Sequence, residues 1–230
     1  MADYRLFWSP GTCARVPFVA LEEIGCPYAV TVVDKAAKGR PDYIAMNPKG
    51  KVPTLLADGR AVTENPAIQL FLARRHPEAG LLPAGPAEEL EALELMSWFA
   101  AGIHPAITRQ RYPQLFSEEP AAWASIRVRA RVQLEEAFTI LERRLRHGGW
   151  LFDAWSVVDV YLLWLWFRAT GSGMDGTEFP ACADLARRCE ARPSVAKVLD
   201  REEREFDLLL AQGRAPASSP PFQVGRAPTF

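Results

Sequence analysis

The sequence predicts an α/β unit followed by an all-helical unit. Strand-period segments occur only between residues 4 and 75, mixed with helical ones. A stretch at 77–86 with three prolines and two glycines reads as a linker. From residue 87 onward every apolar pattern has the helical period. The expected division is 1–76 as the mixed unit, 77–86 as linker, 87–212 as the helical unit and 213–230 as an extended tail. A length of 230 residues fits one or two domains.

Each element has a local reason. Tyr4, Arg5, Leu6, Phe7 and Trp8 alternate and are aromatic-rich, which predicts a strand. Ser9-Pro10-Gly11 is a turn. Val16, Ala20, Leu21 and Ile24 recur at helical spacing over 13–23, with Pro17 tolerable near the start and Gly25 as the stop. Residues 28–33 read as a second strand, and 35–48 carry no decisive period. Asp58-Gly59 between 52–57 and 60–62 is a hairpin signal. A helix is expected over 66–75, with Ile68, Leu70, Phe71 and Leu72 apolar.

In the second half, 88–116 is expected as one helix kinked at Pro105. Residues 121–146 form a long amphipathic helix ended by Gly148-Gly149. The nearly all-apolar run 157–170 predicts the buried central helix. Ser156-Val157-Val158-Asp159 is a capping box, with Trp155 and Val160 placed as a hydrophobic staple. Helices over 180–190 and 194–212 complete the unit. The tail, with Pro216, Ser218, Ser219, Pro220 and Pro221, has no period.

Composition narrows function. With 49% hydrophobic and 24% charged residues the chain is globular, which excludes a disordered, collagen-like or coiled-coil chain. Twenty-seven basic against 28 acidic residues leave a formal charge of −1 and no global case for nucleic acid or an anionic membrane. Small molecules or another subunit are the expected partners. Cys13, Cys26, Cys182 and Cys189 form no CxxC pair, so no metal site or dithiol centre is expected. Reduced thiols fit a cytoplasmic protein. The N-terminus lacks a signal-peptide pattern, and the apolar run at 157–167 is too short to span a membrane.

Several residues are placed for chemistry. Cys13 stands at the start of the first helix, where the helix dipole favours a thiolate. Asn65 reads as N-cap with Pro66 at the first helical position, and such a helix start binds anions. Pro53 opens a strand. His104 is one of three histidines and precedes Pro105.

The runs SPGTCARVPFVALEEIG (9–25), NPKGKVPTLL (47–56), TENPAIQLFLA (63–73) and WSVVDVYL (155–162), in this order and spacing, resemble the glutathione S-transferase family. GIHPAI (102–107) is similar to its bacterial beta class. The resemblance covers residues 4–210 and implies a thioredoxin-like βαβ-ββα first domain, with glutathione as co-substrate and no metal. It implies a cis Pro53 that turns the Val52 backbone toward the cysteinyl part of glutathione. It assigns Asn65 to the glutamyl carboxylate and Glu64 to its amino group. Lys35, with Lys38 nearby, is assigned to the glycine carboxylate. Cys13 is the first candidate beside the sulfur and Ser9 the second, with His104 approaching from the helical domain. Ser97 stands where beta-class proteins carry an Asn that reaches glutathione across a homodimer. Tyr112, Phe116, Trp123, Trp164 and Phe167 are candidates for an apolar second-substrate wall, against a background of ordinary core packing.

The expected function is conjugation of glutathione to an apolar electrophile, with a detoxification role. One alternative is a thiol-disulfide or peroxide reductase using Cys13 through a mixed disulfide. Another is a non-catalytic binding protein of the same fold.

Overall fold

Alternation sets the first strand. In the computed structural model, which describes residues 3–214, Tyr4, Leu6 and Trp8 of β1 (Tyr4–Trp8) point into the core. Phe7 faces the other way and meets Tyr43 at 5.8 Å between ring centroids. The sheet order is β2-β1-β3-β4. β1 runs parallel to β2 (Tyr28–Val32) and antiparallel to β3 (Thr54–Ala57), and β3 pairs with β4 (Arg60–Thr63) across the Asp58-Gly59 hairpin. The parallel β1–β2 pair requires a crossover, supplied by α1 (Arg15–Ile24). Gly25 closes α1 in the left-handed conformation, at φ 70°.

The undecided stretch 35–48 holds a 3₁₀ turn, Ala37–Gly39, and a short helix, α2 (Pro41–Met46). Pro41 at its first turn is the one local signal, since six residues are too few for a period. α3 (Asn65–Arg75) follows β4. Its N-cap is Glu64, not Asn65, which already has its place in the first turn.

The helical part begins with α4 (Pro86–Trp98). A kink was expected at Pro105, but the irregularity lies just before it, as a π-turn over Phe99–Ile103. Proline has no N–H and its ring crowds the carbonyl four residues back, so a widened turn upstream relieves both. The continuation is α5 (His104–Arg111), ending short of the expected residue 116. Gly102 sits under Trp98, where an added Cβ would come within 2.8 Å of the indole. Then follow α6 (Trp123–Leu145), α7 (Val157–Thr170), α8 (Pro180–Glu190) and α9 (Pro193–Ala211).

α7 is the buried centre. The Ser156–Asp159 capping box is formed, and the fully buried Asp159 also accepts from Leu151 N–H at 2.8 Å. Burial lifts the Asp159 carboxyl to about 6 against these donors. The predicted tail falls outside the described residues from 215 onward.

The two parts meet where α1 packs on α7 and α9. Arg15 of α1 and Glu202 of α9 are both fully buried and pair in a bidentate fork, at 2.7 and 3.2 Å. Phe167 of α7 lies under the guanidinium at 4.6 Å. Removing one partner of such a pair strands the other charge in the core, which costs about 3–5 kcal/mol. Glu202→Gln should therefore lower unfolding free energy by about that amount in urea denaturation. A loss of only a few tenths would show that the pair does not join the two parts.

Candidate active site at the seam

A cavity of about 350 Å³ opens between the sheet-bearing part and the helical part. One wall is Cys13, Asn47, Lys51, Val52, Pro53, Glu64 and Asn65. The other is Ala100, His104, Pro105, Thr108 and Phe116, with Tyr161 of α7 at its back. Of the residues expected from the sequence, Cys13, Val52, Pro53, Glu64, Asn65 and His104 are brought together here. Ser9, Lys35 and Ser97 are not.

The reasons for the three exceptions are local. Ser9 follows β1, and its hydroxyl donates to the Val33 carbonyl instead of facing the cavity. Lys35 stands exposed just past Asp34, outside the lining. Lys51 lines the cavity instead, and the half-buried Lys38 acts electrostatically on Cys13. Ser97 is exposed on α4 and donates back to the Leu93 carbonyl at 2.7 Å.

The loop carrying Cys13 is fastened from both sides. Thr12 Oγ1 donates to the Ser9 carbonyl at 2.6 Å, and Asn65 Nδ2 donates to the Cys13 carbonyl at 3.0 Å. From the helical part, Trp164 Nε1 donates to the Gly11 carbonyl at 3.1 Å. The Cys13 thiol donates to the Val52 carbonyl, Sγ to O 3.8 Å. It was expected to gain from the helix dipole. Instead burial, at 8% exposure, pushes it up to about 12. Desolvation of a thiolate outweighs both the dipole and the nearby Arg168 charge.

Val52 precedes a cis Pro53 and lines the cavity. The loop behind it is held by side chains that sequence reasoning missed. Asn47 Nδ2 reaches the Lys51 carbonyl at 2.8 Å and Thr54 Oγ1 at 2.9 Å, and the Tyr43 hydroxyl donates to the same carbonyl at 2.6 Å. Glu64 occupies a left-handed φ of 72°, rare for a residue with a side chain. That conformation places its carboxylate at the mouth, where it meets Lys49 Nζ, itself bonded to Thr63 Oγ1 at 2.7 Å. The start of α3 faces the same cavity and brings a partial positive charge.

His104 packs edge-on against Trp164, ring centroids 4.6 Å apart. Burial, aided by the Arg168 and Lys51 charges, lowers its imidazole to about 4. It is therefore neutral at pH 7, able to donate from one nitrogen and accept at the other. Of the five aromatic candidates for a second-substrate wall, only Phe116 lines the cavity. Trp164 and Phe167 are core residues, and Trp123 donates to the Ser117 carbonyl. Tyr161 was missed because α7 is buried on every face, so no period marks the side that meets the cavity.

The arrangement suits a small anionic ligand with a peptide edge. Lys38, Lys51 and Arg168 outnumber the one carboxylate, Glu64, which Lys49 already pairs. Among the described residues no cluster of His, Cys, Asp and Glu could hold a metal, and no helix is long and apolar enough to cross a membrane.

The family described as "Glutathione S-transferase, N-terminal domain" matches residues 10–75. The glutathione S-transferase GST-4.5 of Xanthomonas campestris pv. campestris is 30% identical over 202 residues, covering 86% of this chain and 98% of that protein. The sphingomonad glutathione S-transferase solved in complex with glutathione is 32% identical with a TM-score of 0.75, over 86% of this chain and 98% of the other. The bacterial beta class enzyme of Sphingomonas chungbukensis is 29% identical at the same coverages, with a TM-score of 0.76.

Both neutral groups can be checked without any ligand. Alkylation of Cys13 by iodoacetamide, followed by peptide mass spectrometry, should be slow at pH 8 and still rising at pH 10. A plateau below pH 8 would mean a thiolate at rest. The His104 imidazole resonances should stay constant from pH 8 to 5.5 and move only near pH 4. This sign makes protonation of His104 oppose the folded state as pH falls.

Proposed function

This chain belongs to the glutathione S-transferase family, and we propose that it is a glutathione transferase that activates the glutathione thiol for attack on an apolar electrophile. The observation that carries the reading is that Val52, before the cis Pro53, lines a cavity that also holds Cys13, Glu64 and His104. A tripeptide adding to the Val52 backbone as a short antiparallel strand sets its sulfur beside Cys13 and His104. Its α-ammonium faces the Glu64 carboxylate. Its glutamyl carboxylate meets the start of α3, at Asn65. Lys51 and Lys38 are better placed than Lys35 for the glycine carboxylate.

Chemistry follows from the neutral resting site. Cys13 acts as a thiol donor to the glutathione sulfur, and the surrounding cations favour the thiolate over the thiol. His104, neutral, can take the thiol proton or support the thiolate from the opposite wall. Placing sulfur and electrophile together in a dry cleft supplies the rest. The alternative with Cys13 as covalent nucleophile is disfavoured by the same burial that pushes its thiol to about 12.

The setting is read as cytoplasmic and the role as detoxification. A homodimer is supported by apolar side chains left in solvent on α4 and α6, Leu90, Val128 and Val132 among them. Ser97 stands exposed on α4, and an interface over that helix would bring it toward the neighbouring subunit.

Retention on immobilised glutathione, with conjugation of an aryl halide, tests the reading. A protein that neither binds nor conjugates would be a non-catalytic member. Glu64→Gln should raise the KM for glutathione roughly ten- to hundredfold, since a charge-assisted bond is worth about 1.5–3 kcal/mol, and leave kcat nearly unchanged. Cys13→Ala should abolish any glutathionyl adduct detected by mass spectrometry. It should keep conjugation within roughly tenfold of wild type, as loss of one ordinary hydrogen bond implies.

A further inference from the structure

The one carboxylate that lines the cavity carries an ammonium of the chain's own. Lys49 Nζ pairs with Glu64 Oε1 and donates to Thr63 Oγ1 at 2.7 Å. Those two acceptors sit at the corner where β4 turns into α3. The lysine is delivered there by a fixed loop. Lys49 N–H donates to Asn47 Oδ1 at 3.2 Å, and Gly50 N–H donates to the Asn47 carbonyl at 2.9 Å. Gly50 takes φ 60°, and an added Cβ would come within 3.3 Å of the Lys38 carbonyl. Lys49 itself is not part of the lining, so its ammonium reaches the carboxylate from the outer side.

Glu64 does not depend on this contact for its position. Its carbonyl accepts from Ile68 N–H at 2.9 Å, which fixes the backbone as the cap of α3. The next residue, Asn65, is buried and tied to the Cys13 carbonyl at 3.0 Å. The left-handed turn at 64 is therefore set by the backbone and by Asn65. Without the Lys49 charge the carboxylate still stands at the mouth.

An alkylammonium has three donors and no acceptor. Lys49 therefore offers nothing to a second ammonium on the same carboxylate, and the two cations repel at close range. We propose that Lys49 is an internal competitor for the ammonium subsite: its Nζ holds Glu64 before glutathione arrives, and the α-ammonium of glutathione has to displace it. Lys49 thus limits the protein's own affinity for glutathione. This rests on the glutathione transferase reading. The overall attraction of a cation for an anionic tripeptide acts in the opposite sense. It is the weaker effect here, because exposed charges further apart than about 8 Å are largely screened at physiological ionic strength. Lys49 and Glu64 are both exposed, so the competition is worth a few-fold and no more.

The test uses the full chain, with glutathione affinity read by calorimetric titration and KM by steady-state conjugation. Lys49→Gln removes the charge and keeps a donor for Thr63. It should lower both Kd and KM for glutathione by roughly two- to fivefold and leave kcat unchanged. Lys49→Arg, which keeps the charge, should behave as wild type. The gain should disappear in a Glu64→Gln background. It should also disappear for a glutathione analogue whose α-amino group is replaced by hydrogen, which has no ammonium to compete. An unchanged or raised Kd in Lys49→Gln overturns the proposal, since it would make Lys49 a bystander or an anion-binding group. An equal gain for the deaminated analogue or in the Glu64→Gln background overturns it as well. Failure of the underlying reading is seen separately, as absence of any glutathione binding by the wild-type protein.

Discussion

The cleft exists because α1 is locked to the helical part, and the lock is one ion pair in the dry interior. Arg15 and Glu202 have no exposed surface, so each is stable only in the presence of the other. Taking both from water costs several kcal/mol per ion, which the short bidentate contact and the Phe167 ring offset. Such a pair adds little net stability compared with an apolar isostere. It does reject any docking angle that separates the two groups. The exposed pairs at the periphery, Arg40–Asp42 and Arg187–Asp184, contribute little to such a choice. Once α1 is fixed, the loop preceding it is fixed too. Trp164 then reaches Gly11 from the helical side, and Cys13 faces His104 across a gap of defined width.

The same dryness sets the charge state of the site. Burial pushes a thiol up and an imidazole down, so Cys13 and His104 are both neutral at rest. Burial also lowers Lys38 and Arg168, the latter to about 10, yet Arg168 stays protonated at neutral pH. The resting cleft is therefore a low-dielectric space with surplus positive charge and neutral groups at its centre. On the proposed reading, an arriving thiol meets cations there and no competing protein thiolate.

Much of this was legible in the sequence, and the limits have physical causes. The central helix was readable to the residue, because a capping box starts it and a nearly all-apolar run fills it. The Asp58-Gly59 hairpin announced itself by its turn residues. α2 has no period to detect, and the π-turn answers to a proline six residues past its first member. The membership of the cleft was largely legible from motifs, whereas the orientation of its side chains was not. Ser9 and Cys13 are four residues apart, yet one faces Val33 and the other the cavity, a difference set by contacts from β2 and α3. The direction of the Cys13 shift was misjudged for the same reason. A helix dipole is visible in a sequence, while the depth of burial against a second folded part is not.

Asn65 shows what that difference does to a functional assignment. The sequence placed it as N-cap and as the group that holds a carboxylate. In the structure Glu64 takes the cap, and the Asn65 amide turns inward to the Cys13 carbonyl. With Asn the jobs divide: the side chain ties helix to loop, and the helix start, with its unsatisfied N–H groups, is left to attract the anion. Its Oδ1 is buried without a hydrogen-bond partner among the described residues, an arrangement that costs free energy unless a donor arrives. A ligand carrying both an ammonium and peptide N–H groups brings such donors. On the proposed reading, then, Asn65 serves glutathione less by gripping its carboxylate than by holding the sulfur-binding loop at the distance the tripeptide requires.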